Sequence, residues 1–360
     1  MDDDKHGLDS GTSSTTTVAD PTSEFDFIKR LRQRVARSTH STQATQSLVV
    51  GIGDDAAVFR ASGKDQVIAT DLLVEDVDFR RTTVPPFFLG HKALAVSMSD
   101  ISAMGARPRW SLISLGIPED VWQSDFTNKF YEGLLQLAAQ FDVQLIGGDT
   151  SRVTEQIVID SIAVGECAVD GSIKRVGAKP GDQIFVTGTL GGSGAGLRLL
   201  ERGAHLADQN FSVAETKVLD HVLLRHLRPE PRVGWGIVLG QERFASAMID
   251  ISDGLSSDLN HLCAESGVGA LIHSSLLPID EQVSELCGRR ALDPLQLALH
   301  GGEDFELLFT VRPELVSKLP RRVDGIGITK IGEVVEASNG IKISEGSRIW
   351  DLTPGGWKHF

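Results

Sequence analysis

The chain has 360 residues, 41% of them hydrophobic and 23% charged, which is the composition of a folded protein with enough core for two medium-sized domains. Its formal net charge of -14 argues against nucleic acid or an anionic membrane as the main partner, because both are negatively charged. No apolar run approaches the roughly 18 residues of a membrane span, no secretory signal is visible, and the three cysteines form no CxxC pair, so we expect a reducing, cytoplasmic setting.

The first part of the chain is predicted to alternate strands and helices after a polar leader. Residues 1–22 are rich in Ser, Thr and Asp and are expected to be a disordered leader of the kind appended for expression. A helix is predicted to begin near Ser23, where apolar side chains recur at helical spacing at Phe25, Phe27, Ile28 and Leu31. Strands follow at Leu48–Ile52, Val67–Thr70, Trp110–Gly116 and Ile157–Val164, and helices at about 90–104 and 124–141.

A second alternating set follows a turn at 179–182. Its predicted strands are Ile184–Thr187, Ala247–Ile251, Gly269–His273 and Phe305–Val311, and its predicted helices are near 194–203, 214–227, 254–266 and 294–299. The glycine-bearing stretch 165–182 is typical of a domain boundary. We therefore predict two domains of α/β (α+β) class, an N-terminal one over 23–165 and a C-terminal one over 166–360.

Acidic residues recur beside glycine at predicted strand ends and turns. A strand end holds a carboxylate rigidly, and a neighbouring glycine lets a phosphate or another backbone approach closely. Magnesium prefers oxygen ligands and usually takes one or two carboxylates together with substrate phosphates. The pattern therefore predicts a magnesium and phosphate site, whose candidate segments are 51–55, 70–71, 99–100, 147–149, 250–254 and 301–304.

These segments also have a plainer interpretation, because Asp and Gly are common in turns for conformational reasons alone. Asp250 and Asp253 form either a metal site beside a helix N-terminus or an ordinary cap, in which Ser252 or Asp253 caps the helix that begins near Gly254. The glycine-rich run 187–196 is either a phosphate loop or a tight strand-to-helix turn. It does not match GxGxxG, and the chain has no P-loop motif.

Eight motifs in sequence order resemble the thiamine-monophosphate kinase family of the aminoimidazole ribonucleotide synthetase superfamily. GIGDD and SDGL are shared across that superfamily, whereas GGDTSR, HLRPEPR and GGEDFEL together are close to specific for the kinase. The matching segments are GIGDDAAV (51–58), ATDLLVEDVDF (69–79), KALAVSMSDISAMGARP (92–108), LIGGDTSR (145–152), RVGAKPGDQIFVTGTLGG (175–192), HLRPEPR (226–232), IDISDGLSSDL (249–259) and GGEDFELLF (301–309).

The resemblance implies a homodimer whose N-terminal domains pair their sheets, with ATP in a cleft fed by both domains and with thiamine monophosphate as the phosphate acceptor. It implies Mg²⁺ ligands at Asp55, Thr70, Asp71, Asp100, Asp149, Asp250 and Asp253, with Asp71, Asp100 and Asp149 at the catalytic centre. It implies ATP contacts at Gly148, Asp149, Arg175 and Ser252, and substrate contacts at Asp78, Glu303 and Trp357.

The chain departs from the family pattern at two positions. The family often has histidine where this chain has Asp78, and serine where it has Ala69, so one substrate contact and one metal-binding oxygen differ. Trp357 would either stack on the thiamine or anchor the C-terminus.

Rival functions remain within and outside this superfamily. A selenophosphate synthetase would need a reactive cysteine ahead of Cys167, and a hydrogenase-maturation relative would need one at the C-terminus. A purine-biosynthesis synthetase lacks support from GGDTSR, and a non-catalytic magnesium–nucleotide sensor is the alternative outside the enzymes. For the kinase, the acceptor phosphate is already anionic near neutral pH, because its second pKa is about 6. No histidine base is therefore expected, although His300 stands close to the GGED motif.

Overall fold

The computed structural model describes residues 30, 33–37, 63–169, 171–208, 210 and 212–356, together with the backbone of 48–50 and 58–59. The predicted leader, the predicted helix start near Ser23, and the site residues Asp55 and Trp357 lie outside these described residues. The mixed α/β class predicted from the sequence is confirmed.

The N-terminal part is built on a four-stranded sheet covered by two long helices. A short antiparallel pair, β1 (Leu48–Val50) and β2 (Val58–Phe59), precedes it. The sheet has the order β3-β6-β4-β5, in which β4 and β5 are parallel and the other pairs antiparallel. Its elements in chain order are β3 (Asp65–Val74), α1 (Pro86–Ala103), β4 (Arg107–Ile117), α2 (Glu119–Trp122), α3 (Phe126–Gln140), β5 (Gln144–Arg152) and β6 (Val158–Cys167).

The two faces of this sheet have different surroundings. Leu73, Ile113 and Ile159 point inward, where they join the buried core that also contains side chains of α1 and α3. The opposite, outer face carries Ile68 and Leu72, which are 66% and 58% exposed. Because successive side chains of a strand point to opposite faces, this alternation decides which predicted site residues can meet.

Helix α1 is buried on nearly all sides because it lies between the two domains. It crosses α3 at two glycines: a Cβ on Gly90 would lie 1.8 Å from the carbonyl oxygen of Phe130, and one on Gly133 would lie 1.8 Å from that of Phe87. On its other side the carbonyl of Ser102 packs against the second domain. Helix α1 is therefore closely packed in two directions, at Gly90 near its start and at Ser102 near its end.

The C-terminal part contains a larger, mainly antiparallel sheet. Its strands have the order β14-β13-β9-β12-β7-β10-β8, with β11 added beside β12. In chain order the elements are β7 (Gln183–Thr187), α4 (Gly192–Glu201), α5 (Val213–Leu227), α6 (Val233–Gln241), β8 (Ala245–Asp250), α7 (Leu255–Ser266), β9 (Gly269–His273), α8 (Glu281–Arg289), α9 (Pro294–His300), β10 (Leu307–Val311), α10 (Pro313–Val316), β11 (Arg322–Val323), β12 (Ile326–Val335), β13 (Ile341–Glu345) and β14 (Arg348–Asp351).

The two faces of this second sheet are both packed. Trp235 of α6 lies with Phe185 and Phe309 on one side, and Leu259 of α7 lies with Leu308 on the other. No helix in the described part of the chain has both the length and the apolar composition needed to cross a membrane.

Several sequence predictions need correction. The GGD segment 147–149 was predicted at a strand end or turn but lies inside β5, whose second half is polar and exposed and so lacks strand-like apolar alternation. Strand β10 begins at Leu307, two residues late, because Phe305 has a φ of +49° that breaks the strand. Helices α6 and α8 and strands β12 to β14 were not predicted.

Candidate active site

Three predicted carboxylates converge on the inner side of the N-terminal sheet. Asp71 lies on the inward face of β3, Asp100 lies on α1, and Asp250 ends β8 of the second domain. Ser99 Oγ donates a 2.7 Å hydrogen bond to Asp250 Oδ2, which fixes that carboxylate against α1. The buried Oδ2 of Asp71 has no hydrogen-bond partner among the described residues.

The charges of these carboxylates act on one another. Burial, followed by the charges of Asp250 and Asp71, raises the pKa of Asp100 to about 8. Burial and then Asp250 raise the pKa of Asp71 to about 6. Burial also raises the pKa of Asp250, while Arg175 opposes the shift at both Asp100 and Asp250. Burial and mutual repulsion therefore disfavour the ionised forms of these carboxylates, as expected of a site that receives metal ions.

The turn after β8 resolves the question of whether Asp253 is a helix cap. The N-cap of α7 is Gly254, at a φ of +117°, and it has no side-chain cap. The backbone N–H groups of Asp253 and Gly254 instead donate to Asp258 Oδ2, at 3.2 and 3.0 Å. The plain capping interpretation of Ser252 or Asp253 is therefore wrong. The Asp253 carboxylate remains beside the cluster, where its charge contributes to the raised pKa of Asp250.

Asp258 is a buried carboxylate that the sequence reasoning did not select. Burial, then Asp250, then Asp253 raise its pKa to about 8. Its place in the quoted segment IDISDGLSSDL was the available signal.

Thr70 and Asp149 lie on the outer face of the N-terminal sheet, opposite to Asp71. Ser114 of β4 pairs with Asp149 on one side and with Asp160 on the other, so these three side chains project together. Thr70 Oγ1 donates a 2.7 Å hydrogen bond to Asp160 Oδ1. Within one chain, the sheet separates this outer group from Asp71.

Gly148 occupies a position that only glycine fits. Its φ is +153°, and a Cβ there would lie 1.8 Å from the carbonyl oxygen of Ile113 on the neighbouring strand. The neighbouring Gly147 is not constrained in this way, since its Cβ would meet only Leu112, at 3.9 Å. One of the two glycines of GGDTSR is thus required by the close approach of β4 and β5.

Glu303 is held by the backbone and by buried side chains. Its N–H donates a 2.7 Å hydrogen bond to the carbonyl of Ser252, so the GGED turn is attached to the turn after β8. Glu303 Oε1 forms a 2.6 Å ion pair with Lys92 Nζ, and Oε2 lies 3.2 Å from Nδ1 of His226. The predicted substrate residue and the predicted ATP residue are therefore direct neighbours.

The two acidic residues that follow Glu303 have internal partners. Asp304 accepts the N–H groups of Gly191 (2.6 Å) and Ser193 (3.1 Å) at the start of α4. The glycine-rich run 187–196 is therefore the tight strand-to-helix turn, and its helix N-terminus is satisfied by an internal carboxylate. Glu306 is fully buried and accepts two 2.5 Å hydrogen bonds from Arg232 of the HLRPEPR motif.

Asp78 and His300 also have local partners. Asp78 Oδ2 accepts the N–H of Val74 at 2.8 Å, which closes the turn after β3. His300 Nδ1 lies 2.8 Å from the hydroxyl of Ser256, and a Cβ on Gly355 would lie only 2.7 Å from the same nitrogen. His300 therefore packs between α7 and the C-terminal segment.

Two family models match the chain. The model for AIR synthase related protein, N-terminal domain, matches residues 53–167, and the model for the C-terminal domain matches 179–343. The thiamine-monophosphate kinase of Bacillus subtilis (strain 168) is 39% identical over 343 residues, an alignment that covers 94% of this chain and 99% of the relative. The chain belongs to the thiamine-monophosphate kinase family. The kinase of Aquifex aeolicus (strain VF5) is 37% identical over 309 residues, covering 86% of this chain and 92% of its own.

Solved structures of the thiamine-monophosphate kinase family have the same fold. The enzyme from Stenotrophomonas maltophilia K279a superposes with a TM-score of 0.76 at 34% identity, over 90% of this chain and 96% of its own. AaThiL complexed with AMPPCP and TMP gives a TM-score of 0.73 at 34% identity, over 94% of this chain and 97% of its own. Hydrogenase maturation protein HypE gives 0.64 at 20% identity, a likeness that shows the fold alone. The family and the two-domain α/β fold predicted from the sequence are confirmed.

The residues that sequence reasoning missed are mostly partners of those it found. Ser99 holds Asp250, while Lys92 and His226 hold Glu303. A fourth partner, Asp160, accepts the hydrogen bond from Thr70. Lys92, Ser99 and His226 lie inside segments that match the thiamine-monophosphate kinases. Asp160, the fourth, lies in none of them. Such partners can be recognised only from contacts between segments that are far apart in the chain, and the sequence alone does not give those contacts.

The donor set fits magnesium, although the described residues of one chain do not form a complete metal site. In the part of the chain that the structure describes, no three His, Cys, Asp or Glu side chains are arranged to hold one metal ion. Magnesium keeps several waters and binds through one or two carboxylates together with substrate phosphates, so a preformed cage is not required. The unpartnered Oδ2 of Asp71 is the atom best placed to accept such an ion.

Proposed function

We propose that this chain transfers the γ-phosphate of ATP to the phosphate of thiamine monophosphate and so makes thiamine diphosphate, the last step of thiamine diphosphate biosynthesis. The single observation that carries the proposal is the 2.7 Å hydrogen bond from Glu303 N–H to the Ser252 carbonyl. It joins the backbone of the predicted substrate residue to that of the predicted ATP contact, two residues after Asp250 of the aspartate cluster. The relatives named for this activity, and the one complexed with AMPPCP and TMP, support the same assignment.

We propose Mg²⁺ as the cofactor, held by Asp71, Asp100 and Asp250, with Asp253 as a further contact. When bound, magnesium would neutralise phosphate charge and lower the repulsion between donor and acceptor. Asp55 remains a predicted ligand outside the described residues. The raised pKa values of Asp71 and Asp100 agree with carboxylates placed together for cations.

The protein's own groups would bind and align the two phosphates. Arg175, whose charge reaches Asp100 and Asp250, is positioned to place a fixed cation on ATP. The acceptor oxygen needs no general base, because a phosphate near neutral pH is already ionised. His300, engaged by Ser256, is free of any proton-transfer duty in this scheme.

We propose a homodimer that pairs the outer faces of the N-terminal sheets. The exposed Ile68 and Leu72 support this interface, because large apolar side chains in one patch mark association surfaces. The same face carries Thr70 and Asp149, which the sheet separates from Asp71 of their own chain. Their predicted metal and ATP contacts would then complete the site at the interface between two copies.

The remaining sequence expectations are kept as part of this proposal. We keep the predicted domain boundary at 165 and 166, which falls in the last residues of β6, ahead of the segment that leads from Cys167 to β7 at Gln183. The enzyme works in the cytoplasm, where thiamine monophosphate and ATP are its partners.

The decisive experiment is a coupled assay for ADP with and without thiamine monophosphate, at saturating Mg²⁺. ADP that appears only with thiamine monophosphate, together with thiamine diphosphate detected by chromatography, supports the kinase. ATP binding with no acceptor-dependent ADP would identify a nucleotide sensor instead. Diphosphate formation should stop when the metal is chelated.

A further inference from the structure

Lys92 is a cation enclosed within the protein, and Glu303 is its ionic partner in the described part of the chain. Nζ of Lys92 lies 2.6 Å from Glu303 Oε1, and the Lys92 side chain is 1% exposed, against 26% for Glu303. A buried ammonium is unfavourable unless a carboxylate balances it. The negative charge of Glu303 is therefore already matched before any substrate arrives.

His226 holds the second oxygen of the same carboxylate. Its Nδ1 lies 3.2 Å from Glu303 Oε2 and 3.1 Å from Ser193 Oγ. Burial, and then the ammonium of Lys92, hold the pKa of His226 well below its usual range. The ring is therefore neutral at physiological pH; its Nδ1 is hydrogen-bonded with Ser193 Oγ and lies in close contact with Glu303 Oε2.

The main chain fixes Glu303 as well. Its φ of +62° lies in the left-handed region, which is costly for a residue with a side chain and is typical of functional sites. Its N–H is bound to the Ser252 carbonyl. Glu303 is thus held by an ion pair at Oε1, by a close contact at Oε2 and by its own backbone, while one quarter of its side chain stays exposed.

We propose that Lys92 and His226 are positioning residues that aim Glu303 as a hydrogen-bond acceptor, so that Glu303 recognises an N–H donor of the substrate and not its positive charge. The inference rests on the proposed function, in which Glu303 contacts thiamine monophosphate. A carboxylate already paired with a buried ammonium attracts a thiazolium weakly, but each of its oxygens keeps a free lone pair. The amino group of the aminopyrimidine is the matching donor.

A double-mutant cycle with Lys92→Met and Glu303→Gln tests this mechanism. Lys92→Met removes the charge and keeps most of the length, so the carboxylate loses its counter-charge and its direction. We expect the KM for thiamine monophosphate to rise roughly tenfold or more, the effect of one lost charged hydrogen bond. The KM for ATP should change by no more than about twofold, because the residues act on the other substrate. On the Glu303→Gln background, Lys92→Met should add little further loss.

Lys64→Met is the matched control. Lys64 Nζ forms a comparable 2.9 Å ion pair with Glu166, at the start of β3 and away from the aspartate cluster. The Lys64→Met substitution removes the same charge as Lys92→Met and should leave the KM values for ATP and thiamine monophosphate unchanged. If Lys92→Met does not fold, His226→Gln in the same cycle replaces it, because it keeps a neutral side chain and a hydrogen-bonding group.

A substrate analogue supplies the second readout. Thiamine monophosphate with an oxo group in place of the amino group loses the exocyclic amino donor and presents an acceptor there, but keeps the thiazolium charge. Wild type should discriminate strongly against this analogue, and the Lys92→Met and Glu303→Gln enzymes should discriminate much less.

Three results would overturn the inference while the kinase function stands: equal use of both substrates by wild type, losses that add fully in the cycle, or KM values for ATP and thiamine monophosphate that rise together. A wild type that makes no thiamine diphosphate at all would instead refute the proposed function, and the inference would fall with it.

Discussion

Ser99 and Asp250 join the two domains through a 2.7 Å hydrogen bond between a hydroxyl on α1 and a carboxylate at the end of β8. Burial raises the pKa of Asp250, and the hydrogen bond from Ser99 opposes that rise. Strand β8 is thereby tied to the helix that carries Asp100.

Replacing Ser99 with Ala should raise the pKa of Asp250 further, because the hydrogen bond that lowers it is lost. The carboxylate is needed in its ionised form, so the acidic limb of the pH–rate profile should move to higher pH. We expect a loss of about 1.5–3 kcal/mol in transition-state stabilisation, largest at low pH. Ser102→Ala is the control, because that buried hydroxyl, one turn later on α1, donates to the Met98 carbonyl at 2.8 Å. Identical pH profiles for the two variants would contradict this role.

Asp100→Asn should abolish phosphoryl transfer and yet raise the melting temperature of the metal-free protein. Burial and neighbouring carboxylates raise the folded-state pKa of Asp100 to about 8, well above its unfolded value of about 3.9. A raised pKa means that the stability this group contributes is full below about pH 4 and is lost as pH rises through 8. The asparagine variant should therefore gain most over wild type at pH 8 and above. Calorimetry across pH, with and without Mg²⁺, measures the melting temperatures of both proteins. Mg²⁺ should stabilise wild type more than the variant.

Gly148→Ala should disrupt the pairing of β4 with β5. The new methyl would lie 1.8 Å from the carbonyl oxygen of Ile113, so a strand must move. We expect destabilisation of about 3 kcal/mol or more and loss of ATP-dependent activity. Gly147→Ala, one residue earlier, meets only Leu112 at 3.9 Å and should fold normally. Chemical denaturation of both variants gives the comparison, and equal stability would show that β5 pairs differently.

His300→Gln should cost no more than about tenfold in kcat/KM, and not the roughly hundredfold or greater loss of a general base. Burial lowers the pKa of His300, and its Nδ1 is occupied by Ser256. In wild type, kcat/KM should rise as pH passes the second pKa of the acceptor phosphate, at about 6, and should then level off. A thousandfold loss in a folded variant, with that limb gone, would make His300 the base.

Ile68→Lys should separate the proposed dimer. A charge on the outer face of the N-terminal sheet would be forced into an apolar interface, so light scattering should show the monomer. Activity should fall with it, because Asp149 would no longer reach the site of the other copy. Ile349→Lys places the same charge on another exposed isoleucine, which is 56% exposed on β14, and should change neither property. A fully active monomer would refute the shared site.

The sequence predicted those elements whose periodicity is strong and local. Strand β9 was found with its bounds, and helix α5 to within one residue, because apolar spacing and turn residues coincide there. Strand β5 was missed since its polar GGDTSR half lies exposed, and only pairing with β4 makes it a strand. The strand conformation of this segment is therefore due to tertiary contacts and not to the intrinsic preference of its own residues.

The site was predictable as a set of residues but not as an arrangement. Motif resemblance selected Asp71, Asp100 and Asp250, whose charges do act on one another. Thr70 and Asp71 were not predicted to point to opposite faces, because the predicted strand ended at Thr70, whereas β3 continues to Val74. Motif resemblance also could not show that Asp258 accepts the N–H groups of Asp253 and Gly254 in the turn ahead of α7, whose N-terminus neither Ser252 nor Asp253 caps.

The placement of α1 limits how substrates can enter. Its glycine crossing with α3 holds it to one domain, and its contacts with Asp250 and Gly236 hold it to the other. A hinge motion that opened the cleft would break the packing of this helix against one of the two domains and expose its small residues to water. Access to the aspartate cluster should therefore depend on movement of the loops at its rim, while the two domains travel as one block throughout the catalytic cycle.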